Sequence, residues 1–358
     1  MMGVWCDHLC YQDQFSVMTD IQGRLTVGFY VGGKREGVVC VEPSTIKVIR
    51  DTHKTVASLY QKFIRQSSLP ANLYLGESSG GLKGHWGGIM VRTNYRGEIM
   101  IKIEFNQREL GEEEFEEEKK NLVDMFSSSG LPVVSLYLAV EKEKRVRNCL
   151  LLGEKTITEE IQGVPMLLGP DTFCQGNIAC TEVLLGLVAK KVDHGKGKTL
   201  LDLCCGGGLF SLHLARMFRG CVGVDMVDTS HAKKSAELNQ LDTCTFLRGR
   251  VQAVVPQMVA DMKVMGGGVS AVLNPGRAGV HYRVIQELRR LPLLDTLVYV
   301  SCQPEDSQVY YNMMDLMAQD KKETPAKLES KPFSLVDAIP VDMFPHTHHC
   351  EHVFVFKR

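Results

Sequence analysis

The chain has 358 residues, 44% of them hydrophobic, and a formal net charge of −1. That length suits two domains at roughly 150 residues each, and no apolar run approaches the ~18 residues a membrane-spanning helix needs, so no membrane partner is expected. Near-neutrality excludes capture of nucleic acid by a global basic field, and any such partner has to be met by a local patch.

In chain order, the opening MMGVWCDHLCYQDQ carries neither a basic segment ahead of an apolar core nor an Arg-rich amphipathic stretch. Residues 1–20 read as an N-terminal segment, expected to be incomplete. The 12 cysteines are scattered. Cys6 and Cys10 stand in a C-x3-C, Cys204 adjoins Cys205, and no C-x2-C repeat occurs, which predicts free thiols in a reducing compartment and no metal.

Residues 21–165 read as a smaller α+β central domain. Strand-like runs fall at 24–31, 37–42, 88–93, 98–105 and 133–140, with a turn at Asn94-Tyr95-Arg96-Gly97. Ile99, Ile101, Ile103 and Phe105 alternate with Met100, Lys102 and Glu104, the pattern of one buried face. Within 109–126, Phe115, Leu122 and Phe126 keep helical spacing, and the surrounding glutamates predict a solvated helix face.

From residue 166 to 358 the rhythm changes. Short β-rich runs at 199–203, 221–225, 244–248, 269–273 and 296–300 alternate with helical ones such as 209–218 and 281–291, which predicts a doubly wound α/β sheet. Ligands bind such sheets beyond the carboxyl ends of the strands. LDLCCGGG, VDMVD, LNPGR and SCQP would then share one rim, with Cys302 facing it.

At the first strand end, Asp202 precedes Gly206, Gly207 and Gly208 and then a helix, and Asp225 ends the next strand. Glycines let backbone approach a ligand closely, and Asp225 can accept from ribose hydroxyls. The third glycine of a dinucleotide fingerprint is missing. S-adenosylmethionine, which has no phosphate, suits this loop better than NAD.

Three further pieces bear on the reaction. Asn274-Pro275 ends the fourth strand, but Arg277 stands where amine methyltransferases carry a stacking aromatic residue. Cys302 ends the fifth strand. Glu351 follows FPHTHHC and precedes the terminal strand; His348, His349 and Cys350 are sequential and make a poor metal set. A thiol and a carboxylate beside a methyl donor suit uracil C5 methylation. Thiolate addition at C6 activates C5, and a base then removes the C5 proton. The thiol needs either a pocket that lowers its pKa or addition concerted with protonation.

TFCQGN, LDLCCGGG, NPGRAGVH, YVSCQP and FPHTHHCE, in that order, resemble the motifs of the RNA uracil-C5 methyltransferase family, over residues 11 to 358. The resemblance implies a Rossmann-like class I methyltransferase domain at 166–358 that forms 5-methyluridine in tRNA or rRNA through a covalent Cys–C6 adduct. It implies Cys302 and Glu351 as catalytic residues. Phe173, Gln175, Asn274 and Arg277 would bind the flipped uridine, and Gln175, Asp202, Gly206, Gly208, Asp225 and Asn274 would bind S-adenosylmethionine. A monomer with no obligate protein partner is expected. The Asn-Pro-x-Arg-Ala-Gly form is most similar to the mitochondrial branch, which implies the matrix; the cytosol or nucleus is the alternative compartment.

The chain also departs from the family. Asn274-Pro275-Gly276-Arg277 replaces Asp-Pro-Pro-Arg, and Gln303 replaces Asn after the cysteine. A neutral amide at 274 brings no charge, so a weak or inactive relative that binds and remodels RNA is the alternative function. The first ten residues read as no RNA-binding module, so RNA is expected to be gripped by the central domain and the methyltransferase rim, with Lys190, Lys191, Lys196 and Lys198 as a basic candidate.

Overall fold

The computed structural model describes residues 11–33, 37–73, 84–319, 331–344 and 347–358. Cys6, Cys10 and the Pro-His pair of FPHTHHCE lie outside them. The chain divides into two compact units, Met1–Glu159 with Leu168–Asp171, and Glu160–Leu167 with Thr172–Arg358.

The first unit contains β1 (Gln12–Thr19), β2 (Leu25–Gly33), β3 (Gly37–Val41), α1 (Asp51–Gln66), β4 (Trp86–Thr93), β5 (Ile99–Asn106), α2 (Glu112–Ser127), β6 (Val133–Lys142) and β7 (Arg145–Gly153). Its sheet runs β3-β2-β1-β4-β5-β6-β7. Only β5–β6 is parallel. A parallel neighbour requires a crossover, and α2 supplies it. β1 lies inside the segment read as N-terminal: its Gln and Asp residues disguise a strand whose Phe15 and Val17 enter the core.

Ile99, Ile101, Ile103 and Phe105 are buried as the alternation requires, but so is Met100, so that end of β5 is covered on both faces. Phe115, Leu122 and Phe126 of α2 pack into the same core. Between them Glu118 is buried and accepts a hydrogen bond from Ser67 Oγ at 3.0 Å. Fully buried His53 ties α1 to β1 and β4, with Nδ1 2.6 Å from Asp13 Oδ2 and Nε2 2.7 Å from Thr93 Oγ1.

A two-stranded pair follows, β8 (Ile157–Ile161) with β9 (Val164–Leu168). The second unit continues with α3 (Ile178–Lys191), β10 (Gly195–Leu203), α4 (Leu209–Leu214), β11 (Phe218–Asp225), α5 (Ser230–Leu238), β12 (Cys244–Arg248), α6 (Val251–Met265), β13 (Gly268–Leu273), α7 (Tyr282–Arg289), β14 (Leu294–Ser301), α8 (Ser307–Met317), β15 (Ser334–Val341) and β16 (Glu351–Lys357).

Here the order is β12-β11-β10-β13-β14-β16-β15. The first five strands are parallel, and β16 runs antiparallel between β14 and β15. Helices cover both faces of such a sheet, so its strands read as nearly continuous apolar runs. Leu201, Leu203, Val224, Ala271, Leu273, Leu297 and Tyr299 are accordingly all buried in one core. The five carboxyl ends, from Leu203, Asp225, Arg248, Leu273 and Ser301, define the rim where a ligand belongs.

Candidate active site

Leaving β10, the chain turns sharply, with Cys204 at φ +64°. The Cys204 and Cys205 N–H groups both donate to Val224 O, at 2.9 and 3.1 Å. Asp225 then organises the rim. Its Oδ2 accepts from Gly206 N at 2.8 Å and its Oδ1 from Val227 N at 3.0 Å. Each carboxylate oxygen keeps capacity for a second donor. Gly208 enters α4 at φ +85°, and a Cβ there would lie 3.1 Å from Ala232 Cβ, so glycine is required by both conformation and space.

Asp202 sits deeper than a rim ligand. It is fully buried, and its Oδ2 accepts from Ser211 N at 2.8 Å and Ser211 Oγ at 2.7 Å, so its carboxylate caps α4. Its Oδ1 has no hydrogen-bond partner among the described residues. Burial pushes this carboxyl up to about 6. The cap fills with a protein carboxylate the N–H position that a pyrophosphate takes in dinucleotide folds.

The TFCQGN loop rests on this turn. Thr172 Cγ2 stands 3.0 Å from where a Gly207 Cβ would be. Phe173 is 63% exposed, whereas Gln175 is buried. Asn177 anchors the loop by accepting from Cys180 N at 3.1 Å to cap α3, and its Nδ2 reaches Met343 O at 3.5 Å.

The two candidate reacting groups come from the end of β14 and the start of β16. Ser301 pairs with His352 across β14 and β16. The ladder ends there; Cys302 follows in a bend, within reach of the charge of Glu351, which pairs with Val341 on its other side. Glu351 is only 3% exposed, and burial pushes its carboxyl up to about 7. The half-buried Cys302 thiol is pushed up by burial and then by the Glu351 charge, while Arg277 opposes both through its charge and a hydrogen bond. The net shift is upward, so the expectation of a pocket that lowers this pKa fails.

Arg277 is exposed on the loop after β13, with Asn274 half-buried and Pro275 buried. Asn274 N donates to Leu203 O at 3.1 Å. The far end of the loop is held by Asn312, a residue the sequence reading missed. Its Oδ1 accepts from Val280 N at 2.9 Å and from Tyr299 Oη at 3.2 Å, and its Nδ2 donates to Val280 O at 2.9 Å. The available signal was a lone polar residue on the apolar stripe of α8, between Val309 and Leu316, all three buried. Gly279 sits beside it at φ +64°, where a Cβ would lie 2.7 Å from Asn312 Oδ1. Gly279→Ala is therefore expected to cost about 1–3 kcal/mol in chemical unfolding and to lower methylation by displacing Arg277.

The lysine candidate lies elsewhere. Lys191 pairs with Asp337 at 2.5 Å, and Lys198 pairs with Asp193 and Asp295 at 2.5 and 2.6 Å. Lys196 and Lys198 stand on the amino-terminal part of β10, away from the carboxyl-end rim. Paired cations at that end are poorly placed to hold RNA against Cys302.

The second sheet, with its antiparallel β16 inserted beside the fifth parallel strand, is that of a Rossmann-like class I methyltransferase. The family described as tRNA (Uracil-5-)-methyltransferase matches residues 69–358. tRNA (uracil-5-)-methyltransferase homolog B of Danio rerio is 35% identical over 356 residues, covering 96% of this chain and 72% of that protein. Its Mus musculus counterpart is also 35% identical over 356 residues, covering 96% and 70%. The chain belongs to the tRNA (uracil-5-)-methyltransferase family. Among solved structures, Pyrococcus abyssi tRNA (uracil-54, C5)-methyltransferase in complex with S-adenosyl-L-homocysteine superposes with a TM-score of 0.67 at 20% identity, over 98% of this chain and 76% of that one, which shows a shared fold.

Proposed function

We infer that this enzyme methylates C5 of a uridine in tRNA or rRNA through a covalent adduct on Cys302, with S-adenosylmethionine as donor. One observation supports the reading: a thiol just past the end of β14 feels both the charge of the buried carboxylate that opens β16 and the charge and hydrogen bond of Arg277, in a chain of this family. The rim suits the donor. Asp225 offers ribose acceptors, and Asp202 already takes the Ser211 N–H in the first turn of α4. When bound, the donor supplies an electrophilic methyl on a sulfonium.

The protein's own groups do the rest. Cys302 Sγ, ionised to the thiolate, bonds to C6 of the uracil, and the C5=C6 electron pair shifts to C5, which becomes the nucleophile that takes the methyl as the methyl–sulfonium bond breaks. Glu351 then removes the C5 proton; as C5=C6 closes, the C6–S bond breaks and the thiolate leaves. Arg277 steadies the sulfur when it is anionic, at both ends of the cycle. Phe173, Gln175 and Asn274 are proposed to hold the flipped base, and Gln175, Gly206, Gly208 and Asn274 to line the donor beside Asp225.

The direct test incubates the protein and S-adenosylmethionine with unmodified tRNA and rRNA transcripts and maps 5-methyluridine by nuclease digestion and mass spectrometry. Absence of the product in both would sink the reading. In calorimetry, S-adenosylhomocysteine is expected to release heat and NAD none, with Asp225→Ala weakening binding about tenfold or more at an unchanged melting midpoint. We further propose a monomer acting in the mitochondrial matrix, supported by the resemblance to that branch, which sedimentation and cell fractionation check.

A further inference from the structure

Three exposed tyrosines stand beside the reacting loop and take no part in anything assigned above. Tyr282 opens α7 directly after NPGRAGVH, and Tyr310 and Tyr311 lie near the start of α8, just beyond Cys302. They are 46%, 55% and 60% exposed. On α8 the buried residues are Val309, Asn312 and Leu316, so at 100° per residue Tyr310, Met314 and Tyr311 share the opposite face. Met314 is exposed as well.

The two helices are fixed to one another where these rings emerge. Asn312, next to Tyr311, bonds both backbone groups of Val280, two residues before Tyr282. The His281 and Tyr282 rings lie 4.5 Å apart, and those of Tyr310 and Tyr311 lie 5.8 Å apart. Helices in such a sheet run opposite to the strands, so both N-termini sit at the carboxyl rim. Exposed Arg283 forms no ion pair with a carboxylate among the described residues. Two acids are nearby on the chain: exposed Glu305, and Asp306, whose Oδ1 accepts from Gln308 N.

We propose that Tyr282, Tyr310 and Tyr311, with Arg283, form a stacking platform for unpaired RNA nucleotides flanking the uridine that enters the pocket. The proposal rests on the RNA methyltransferase reading above and names the surface that reading lacked. Drawing one base out of a stack strands its neighbours, and aromatic side chains replace the lost stacking whatever the sequence. A tyrosine tolerates water at its hydroxyl while offering a flat face. Arg283 and Arg277 supply positive charge beside these rings, which Lys191 and Lys198, ion-paired at the other end of the sheet, do not.

The experiment measures the affinity of the full chain for unmodified tRNA transcripts by fluorescence anisotropy, and methylation kinetics on the same RNA. Tyr282→Ala, Tyr310→Ala and Tyr311→Ala are each expected to weaken binding and raise KM on the order of tenfold while kcat moves far less; the phenylalanine variants restore affinity. Arg283→Ala should reduce the slope of log affinity against log salt by about one. These residues are exposed, so an unchanged melting midpoint separates lost contact from lost fold. Alanine variants that bind and methylate within twofold of wild type overturn the platform and leave the methyltransferase reading standing. A wild type that binds RNA without methylating it, and loses that affinity in the alanine variants, keeps the platform and overturns the reading. A wild type that binds no RNA overturns both.

Discussion

Cys302→Ala is expected to abolish 5-methyluridine formation, with a loss of ~10⁴-fold or more, because it removes the thiol proposed to add to C6. RNA carrying 5-fluorouridine sharpens the test. Fluorine at C5 cannot leave as a proton does, so wild-type protein should stay attached to that RNA through denaturing electrophoresis. The alanine variant should not. An adduct that persists without Cys302 would move the nucleophile to another thiol, and Cys350, beside Glu351, would be the next to replace.

Glu351→Gln should behave differently. Attack and methyl transfer remain possible while release fails, so methylated RNA should accumulate on Cys302 as turnover drops ~10²–10⁴-fold. Removing the Glu351 charge also relieves one of the two influences that push the Cys302 thiol up, so the adduct should form no more slowly than in wild type. The pH profile carries an independent signature. With the carboxyl at about 7, wild-type turnover should rise through neutrality as the base ionises, and the glutamine variant should lose that limb.

Stability moves the other way. Because burial raises the folded-state pKa above the ordinary value of 4.5, the folded protein retains a proton that the unfolded chain has released. The contribution is complete below about 4.5 and is lost as pH rises through about 7. Unfolding at pH 8 should therefore show Glu351→Gln more stable than wild type, by on the order of 3 kcal/mol at most. A glutamate that merely ended the strand would give neither the trapped species nor the lost limb.

The five parallel strands were legible because each is a short apolar run closed by a motif; the run at 244–248 coincides with β12, and the other four fall within β10, β11, β13 and β14. What stayed hidden had physical causes. β7 and β15 are edge strands, with one row of backbone groups unpaired and many exposed side chains, so their patterns are broken by Arg145, Arg147, Asp337 and Pro340. α6 is apolar around most of its circumference and carries Pro256, which obscures a helical period.

At the site, the sequence singled out Cys302 and Glu351 but not why they come near one another. That depends on β16 entering between β14 and β15, a fact of pairing that neither local propensity nor spacing encodes. A second role of Asp202 was hidden similarly: one oxygen of this strand-end carboxylate caps α4 through Ser211.

The position of β16 has a bearing on how the protein comes into being. The ribosome makes β14 and β15 first, yet neither can settle against the other, because their shared neighbour has still to arrive. Until residues 351–357 slot in, β14 presents an open edge, and the thiol beside it has no carboxylate opposite. A chain caught at that stage would own a nucleophile without the group that lets it go. The strand that closes the sheet is thus also the one that carries the group proposed for the release step.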